Sequence, residues 1–380
     1  MRQVAIVQEY VPQYREPFFK QLGILLQKSD IQLSVFAGQP NGLQADRNDA
    51  VKADFIKHVA QREYAVAGKR LVVSNVTNLL KEFDLIIFEQ ARRNLPLYQI
   101  LLKRAMAPRR RKRQILALWG HGRDYANVSG AFTSRLMTML THQADWFFGY
   151  TEDSVNHVVR GGYRRHRTTV VQNSIDTRSL IEQVDGFHAQ SMRVSNVRRI
   201  CYIGGLDESK KIAMLLRSAD LMRSMEPNLC LSILGDGHLR ANVENFCQTR
   251  EWAEYLGHSS GAQKAYVLAN SEILVNPGRV GLLALDSLAT GVPIATTTYD
   301  YHAPEYGYLA PGFTCIELPD DEEAYARGVV AMLRQPQALG KMRANCISSR
   351  GQYSIEKMAG NFALGVIEAL AETSATGSKS

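Results

Sequence analysis

The stretch "NPGRVGLLALDSLATGVPIATT", residues 276–297, reads as a strand end, a glycine turn, a helix and a second strand. The apolar run "EILVNP", residues 272–277, carries the chain into a turn that holds Gly278, Arg279, Val280 and Gly281. Glycines there remove side chains that would keep an anionic group such as a diphosphate off the backbone. A helix opening near Leu282 presents unpaired N–H groups and the positive end of its dipole to such a group. Gly291 and Pro293 punctuate the end of the helix, and "VPIATT" begins the next strand. This is a parallel βαβ unit, and its turn lies at the carboxyl end of a strand, where doubly wound sheets bind ligands.

The same rhythm extends outward. Before the stretch come the strands "RRICYIGG", "LCLSILGDG" and "AEYLGH", separated by the helices "KKIAMLLRSADLMRSM", "HLRANVENFCQTR" and "GAQKAYVLAN". In the first half the candidate strands are "QVAIVQ", "IQLSVFAG", "DLIIFEQ", "QILALWGHG", "WFFGYT" and "TTVVQN". The expected fold is α/β: two doubly wound, Rossmann-like domains facing each other across a cleft. Expected boundaries are 1–180 for the first domain, 181–197 for a linker and 198–355 for the second domain. A long amphipathic helix over 356–372 is expected to pack back towards the first domain, and the tail 373–380 to be disordered.

Composition bounds the function. The 380 residues are 45% hydrophobic, which suffices for two cores. No apolar run approaches the roughly 20 residues of a membrane-spanning helix. The N-terminal "MRQVAIVQEYVPQY" reads as a first strand, since Gln8 and Glu9 interrupt its apolar run, and not as a signal peptide. Five isolated cysteines without metal-ligand spacing imply reduced thiols in a cytosolic protein. The formal charge of +8 divides into +12 over residues 1–180 and −4 over the rest. A basic half joined to an acidic half suggests different partners for each.

Several stretches together resemble the retaining GT-B glycosyltransferases, in the large bacterial family that contains mannosyl- and glucosyltransferases (glycosyltransferase family 4-like). "YIGGLDESKKIAMLLRSA" resembles that family's G-R-L-x-x-x-K-G segment, and "ILGDGHLRANVE" its G-x-G-x-x-x-x-L turn. "NPGRVGLLALDSLATGVPIATT" resembles the P-S-x-x-E-G-F-G-L-x-x-L-E-A-x-A-x-G-x-P-V-x-A-T stretch. "EYLGH", "VVQNSIDTRSL" and "HAPEYGYLAPG" resemble further family segments in the same order. The resemblance spans about residues 4–365 and is strongest from 170 to 315.

The resemblance implies a donor site for a nucleotide-diphosphate sugar. Its residues would be Gly204, Gly205, Lys210, Gly235, His258, Gly278, Arg279, Val280, Gly281, Leu282 and Asp286. Lys210, with Lys211 as the alternative, would neutralise the diphosphate, and Asp286 would accept hydrogen bonds from the ribose. The family has two glutamates eight positions apart; here those positions are Gly278 and Asp286. The acid that contacts the donor sugar is therefore missing, and so is the arginine of G-R-L, replaced by Gly205. Arg279 is a candidate for replacement charge. No paired carboxylates are placed to hold a metal, so no metal or other cofactor is expected.

On the acceptor side, "GHG" at a strand end makes His121 a cleft-facing imidazole, and the family places a histidine near this point against the reacting sugar or acceptor. Arg123 and Asp124 either bind acceptor phosphate or pair with each other. Tyr14 and Arg15, in the turn after the first strand, could reach phosphate or acceptor, while Phe18, Phe19 and Leu22 pack the following helix. The run Arg109, Arg110, Arg111, Lys112 and Arg113 is either a solvated loop or a surface for anionic lipid.

Catalytic roles then fall to His121 and Lys210. The expected activity is transfer of a sugar to a lipid-linked or saccharide acceptor in surface polysaccharide, lipopolysaccharide or glycolipid synthesis, on the cytoplasmic side and peripheral to the membrane. The rivals are a non-catalytic GT-B protein that binds a nucleotide sugar, and a GT-B sugar-nucleotide epimerase or hydrolase. A nucleic-acid partner is not expected, since no recognisable module surrounds the basic run.

Overall fold

The computed structural model describes residues 1–40, 51, 53–66, 69–91, 93–106, 114–122, 138–139, 141–190, 196–258 and 261–377. The basic run 109–113 and Arg123 lie outside these residues. The chain forms two compact units, one comprising Met1–Ile175 and Ile355–Ser380, the other Asp176–Ser354.

In the first unit the strands are β1 (Arg2–Gln8), β2 (Ile31–Ala37), β3 (Ile56–His58), β4 (Gln61–Val66), β5 (Lys69–Ser74), β6 (Leu85–Glu89), β7 (Ile115–Gly120), β8 (Trp146–Gly149) and β9 (Thr168–Val170). Seven of them form a parallel sheet in the order β3-β2-β1-β6-β7-β8-β9, with Val4 in register with Leu33 on one side and Leu85 on the other. Central strands of such a sheet are covered on both faces, which is why β1, β6 and β7 read as unbroken apolar runs. The strand order reverses between β1 and β6. The remaining pair, β4 and β5, is an antiparallel ribbon that the sequence reading did not anticipate.

The helix Glu16–Gln27 buries Phe18, Phe19, Leu22 and Leu26 against one face of this sheet. The helix Ile355–Gly377 covers the same core: Phe362 stacks on Phe148 at 4.4 Å and meets Trp119 edge-on at 5.0 Å. Gly365 makes this approach possible, because a Cβ there would lie 2.2 Å from Thr169 Oγ1. Arg167 closes the end of the packing with an ion pair to Glu372 at 2.7 Å. The helix continues to Gly377, past the point where disorder was expected.

The second unit holds β10 (Arg198–Ile203), β11 (Leu229–Leu234), β12 (Ala253–Tyr255), β13 (Ile273–Val275), β14 (Ile294–Thr297) and β15 (Cys315–Leu318). They form a parallel sheet in the order β12-β11-β10-β13-β14-β15, which reverses between β10 and β13. The stretch 181–190, expected within a linker, belongs to a helix, Arg178–Gln190. Val184 is fully buried in it, among Cys201, Leu268, Ala284 and Ile294, and Leu180 and Phe187 pack beside it. Positions 180, 184 and 187 form a narrow apolar stripe of helical period inside a polar segment. The units therefore divide at 175/176 and 354/355 rather than at 180, 197 and 355.

Candidate functional site

The carboxyl ends of β10, β11, β12 and β13 lie side by side, and the turns that leave them are bonded to one another. Gly204 N–H donates to the Leu234 carbonyl at 3.0 Å, Leu206 N–H to Asp236 at 2.9 Å, and Gly235 N–H to Gly257 at 2.8 Å. Gly235 has to be glycine, since a Cβ would lie 1.9 Å from the Gly204 carbonyl oxygen. His258, at the end of the β12 turn, is exposed. Gly204, Gly205, Gly235 and His258 thus share the carboxyl edge of the sheet with the Gly278 turn, and the strand order reverses between β10, which leads to Gly204 and Gly205, and β13, which leads to Gly278.

The β10 turn leads through Asp207, whose Oδ1 accepts from Ser209 N–H at 2.9 Å, into a short 3-10 turn, Glu208–Lys210. That turn rests on the Gly278 segment. Arg279 N–H donates to the Ser209 carbonyl at 2.8 Å, and Lys210 Nζ donates to the Arg279 carbonyl at 2.5 Å. Lys211 points elsewhere: its ammonium is paired with Asp320 and lies 4.2 Å from the Tyr299 ring centre. Of the two candidates, Lys210 is the one at the turn.

Gly278 was expected to leave its backbone open to a diphosphate. Instead, the space over its Cα is filled by protein. A Cβ would lie 2.3 Å from the Lys210 carbonyl carbon and 2.5 Å from the Ser209 oxygen. The cradle of amides is also smaller than expected. Arg279 N–H is bonded to Ser209, and Val280 N–H to His302 Nδ1 at 3.0 Å. Gly281 and Leu282 remain at the mouth of the helix Leu283–Thr290, next to Ala303 and the buried Glu305.

Two cations lie close together at this turn. Burial, with the positive charge of Arg279 beside it, pulls the Lys210 ammonium down to about 8, against the opposing influence of Asp207 and Glu305. Among the described residues, neither Lys210 nor Arg279 has a carboxylate within ion-pair distance. Two neighbouring cations without a paired acid favour an incoming anion.

Asp286 is only 5% exposed. Its Oδ2 is 2.7 Å from Lys264 Nζ, on the helix Ala262–Asn270, while Oδ1 is buried without a hydrogen-bond donor. Lys264 therefore holds one of the two carboxylate oxygens and the other has no donor in the protein. Lys264 and His302 stand in stretches quoted in the sequence analysis, but neither was assigned to the site. His302 is buried, its Nδ1 accepting from Val280 and its Nε2 donating to the Thr297 carbonyl at 3.0 Å. Burial lowers its pKa, and the ring, bonded at both nitrogens, fixes the turn. Both residues touch the site through elements distant in sequence, and no local period marks them.

In the first unit, His121 follows β7, and its ring centre lies 4.3 Å from that of Tyr150. Arg15 Nη2 donates to the Tyr150 hydroxyl at 2.9 Å, and Tyr14 is exposed beside it. The structure thus brings together Tyr14, Arg15 and His121 of the residues assigned to the acceptor.

Residues 197–335 match the family model described as Glycosyl transferases group 1. No curated protein matches the chain. The fold is GT-B, two parallel-sheet α/β domains, as solved structures show. HepE from Anabaena in complex with UDP is similar at a TM-score of 0.65 and 14% identity, over 96% of this chain and 99% of that one. The lipopolysaccharide outer core galactosyltransferase WaaB is similar at 0.65 and 13%, over 96% and 99%. Sucrose-phosphate synthase from Thermosynechococcus elongatus is similar at 0.67 and 15%, over 98% and 100%.

Proposed function

We propose that this chain is a glycosyltransferase whose second unit binds a nucleoside-diphosphate sugar at the ends of β10 and β13. The observation that carries this reading is the cation pair Lys210 and Arg279, without a paired acid, at the turn before the helix Leu283–Thr290. As the sugar leaves, negative charge grows on the diphosphate, and a positioned ammonium and guanidinium stabilise it without a metal ion. Asp286 Oδ1 accepts a ribose hydroxyl. His121, at the end of β7, faces the acceptor. Transfer proceeds with retention of anomeric configuration, to a saccharide or lipid-linked acceptor of surface polysaccharide or glycolipid synthesis. The match of 197–335 to the group 1 model and the UDP held by HepE support the donor class. The basic run 109–113 supports a peripheral position on the inner face of an anionic membrane.

A second reading has one observation in its favour. Protein fills the place where the family's first acid would stand, so the chain could hold a nucleotide sugar without transferring it. A panel of UDP-, GDP- and ADP-sugars separates the two, first by thermal shift and then by release of nucleoside diphosphate with saccharide and lipid acceptors. The transferase reading predicts a donor that both stabilises the protein and is consumed when an acceptor is present. Stabilisation without release for any acceptor supports the binding protein. Release into water at an equal rate supports a hydrolase.

Asp286→Ala is expected to weaken nucleotide binding by about 1.5–3 kcal/mol, the range for a hydrogen bond to a charged group. It also leaves Lys264 without its partner, so the control is Asp286→Ala combined with Lys264→Met, which restores neutrality. Calorimetry on the folded double variant should show the same loss. Full affinity in that variant would remove Asp286 from nucleotide recognition.

Nucleotide affinity should also depend on pH with a definite sign. The diphosphate binds the charged amine, so affinity is level below about 8 and falls as Lys210 loses its proton above that value. The limiting slope is about tenfold per pH unit. In the ligand-free protein the sign is reversed. Between about 8 and the ordinary lysine value the unfolded chain holds more protons, so stability contributed by this group rises with pH. Calorimetric titrations across this window with wild type and Lys210→Ala check it: the slope should vanish in the variant.

A further inference from the structure

Arg15 is buried without an ion pair among the described residues, and the nearest acid that acts on it is Glu89. It stands at the head of the helix Glu16–Gln27, in the turn after β1, and is 7% exposed. Its guanidinium carbon lies 4.4 Å from the Trp119 ring centre, Nη2 donates to the Tyr150 hydroxyl at 2.9 Å, and the Tyr14 hydroxyl is a further hydrogen-bond partner. Nη1 is buried with no acceptor, and among the described residues Arg15 makes no ion pair. The buried Arg104 and the half-buried Arg93 and Arg70 of this unit are treated differently. Arg104 is paired with Asp145 at 2.6 Å, Arg93 with Glu9 at 2.5 Å, and Arg70 with Glu9 and Glu63.

An arginine cannot escape burial by losing its proton. A ring face under the guanidinium returns only part of what desolvation costs. A guanidinium that keeps a buried N–H without an acceptor has hydrogen-bonding capacity that an anion can take up. Its planar fork matches the paired oxygens of a phosphate or a carboxylate. A second donor without an acceptor lies in the same cluster: the buried indole N–H of Trp119. The location also suits a ligand, because Arg15 follows β1 where the strand order reverses to β6, and the Tyr150 ring it bonds is in contact with His121. Of the rings around the guanidinium, Trp119 and Tyr150 are buried, and Tyr14, 40% exposed, marks the side that meets solvent.

We infer that Arg15, Trp119 and Tyr150 form an oxyanion subsite in the first unit, and that the acceptor carries the matching group, a phosphate ester or a uronate carboxylate. The identity of the bound molecule as acceptor rests on the transferase reading; the anion site itself does not.

The test reads anion binding without donor or turnover. Thermal unfolding of the full chain is followed against inorganic phosphate, sodium glucuronate and sodium chloride at matched ionic strength. Wild type should show a saturable rise in midpoint with phosphate or glucuronate beyond that with chloride, and the stronger of the two names the chemistry of the group. The rise should persist in Lys210→Ala, which disables the other cation site. In Arg15→Gln the apparent affinity should fall at least tenfold, and in Arg15→Lys, which keeps charge but loses the fork, it should fall less. Should Arg15→Gln fail to fold, Tyr150→Phe should still weaken anion affinity, because the hydroxyl that orients the guanidinium is gone. No rise beyond chloride in wild type overturns the inference, as does a rise abolished by Lys210→Ala. Unchanged affinity in a folded Arg15→Gln, or in Tyr150→Phe where Arg15→Gln does not fold, does the same. If the anion effect appears while no nucleotide sugar is bound or consumed, the subsite stands and the donor reading falls.

Discussion

Lys210→Ala is expected to lower turnover by about 10²–10³, the usual cost of removing one group that stabilises charge developing in the transition state. Folding should be little affected. The substitution loses one hydrogen bond, from Nζ to the Arg279 carbonyl, which contributes about 1 kcal/mol. In return it removes an ammonium that burial and a neighbouring guanidinium already disfavour. The separation of the two effects is the informative result: a large loss of rate at a thermal midpoint close to that of wild type. Lys211→Ala is the paired control. Its ammonium serves Asp320 and the Tyr299 ring, so turnover should change far less. Normal turnover in folded Lys210→Ala would take this residue out of the mechanism.

Gly278→Glu should not rescue a missing acid; it should inactivate the protein by about 10²-fold or more, as small misplacements of catalytic groups do. The contacts decide this. All three atoms closest to a Cβ at 278 belong to the backbone of Ser209 and Lys210, at 2.3, 2.5 and 2.6 Å. No change of rotamer relieves a clash with backbone. The turn Glu208–Lys210 must move, breaking the bonds from Arg279 N–H to Ser209 and from Lys210 to Arg279. Overpacking of this kind costs about 1–3 kcal/mol of stability. Gly278→Ala carries the clash without the charge and should show much of the same loss. If Gly278→Glu is stable and turns over as fast as wild type, or faster, the contact between the two turns is not what the site requires.

The difference between these two expectations and a reading of the sequence alone lies in what a sequence can display. Parallel strands buried on both faces are continuous apolar runs, and β1, β6, β7, β10, β11 and β14 were all legible for that reason. The helix Arg178–Gln190 was not, because only Leu180, Val184 and Phe187 mark its buried side. The ribbon of β4 and β5 was missed because charged and polar residues break its apolar pattern and it has no neighbour in the main sheet. At the donor turn, Gly278 was visible as a glycine and as a lost acid. Its physical requirement was not, since the backbone it makes room for lies some seventy residues earlier, at Ser209 and Lys210. Lys264 and His302 were invisible for the same reason: each acts on the site from another element. Arg15 was marked as a candidate by its place after β1, but its buried N–H without an acceptor is a fact of packing.

The central claim is that Lys210 and Arg279 form a diphosphate site. The most direct measurement is titration calorimetry of UDP, GDP and ADP, each against its parent nucleoside, with wild type and with Lys210→Ala combined with Arg279→Ala. At least one diphosphate should bind wild type, bind the double variant at least about tenfold more weakly, a difference of about 1.4 kcal/mol, and lose most of its advantage over the nucleoside. A double variant that is folded and binds every diphosphate as wild type does, or a wild type that binds none of them, would contradict the claim.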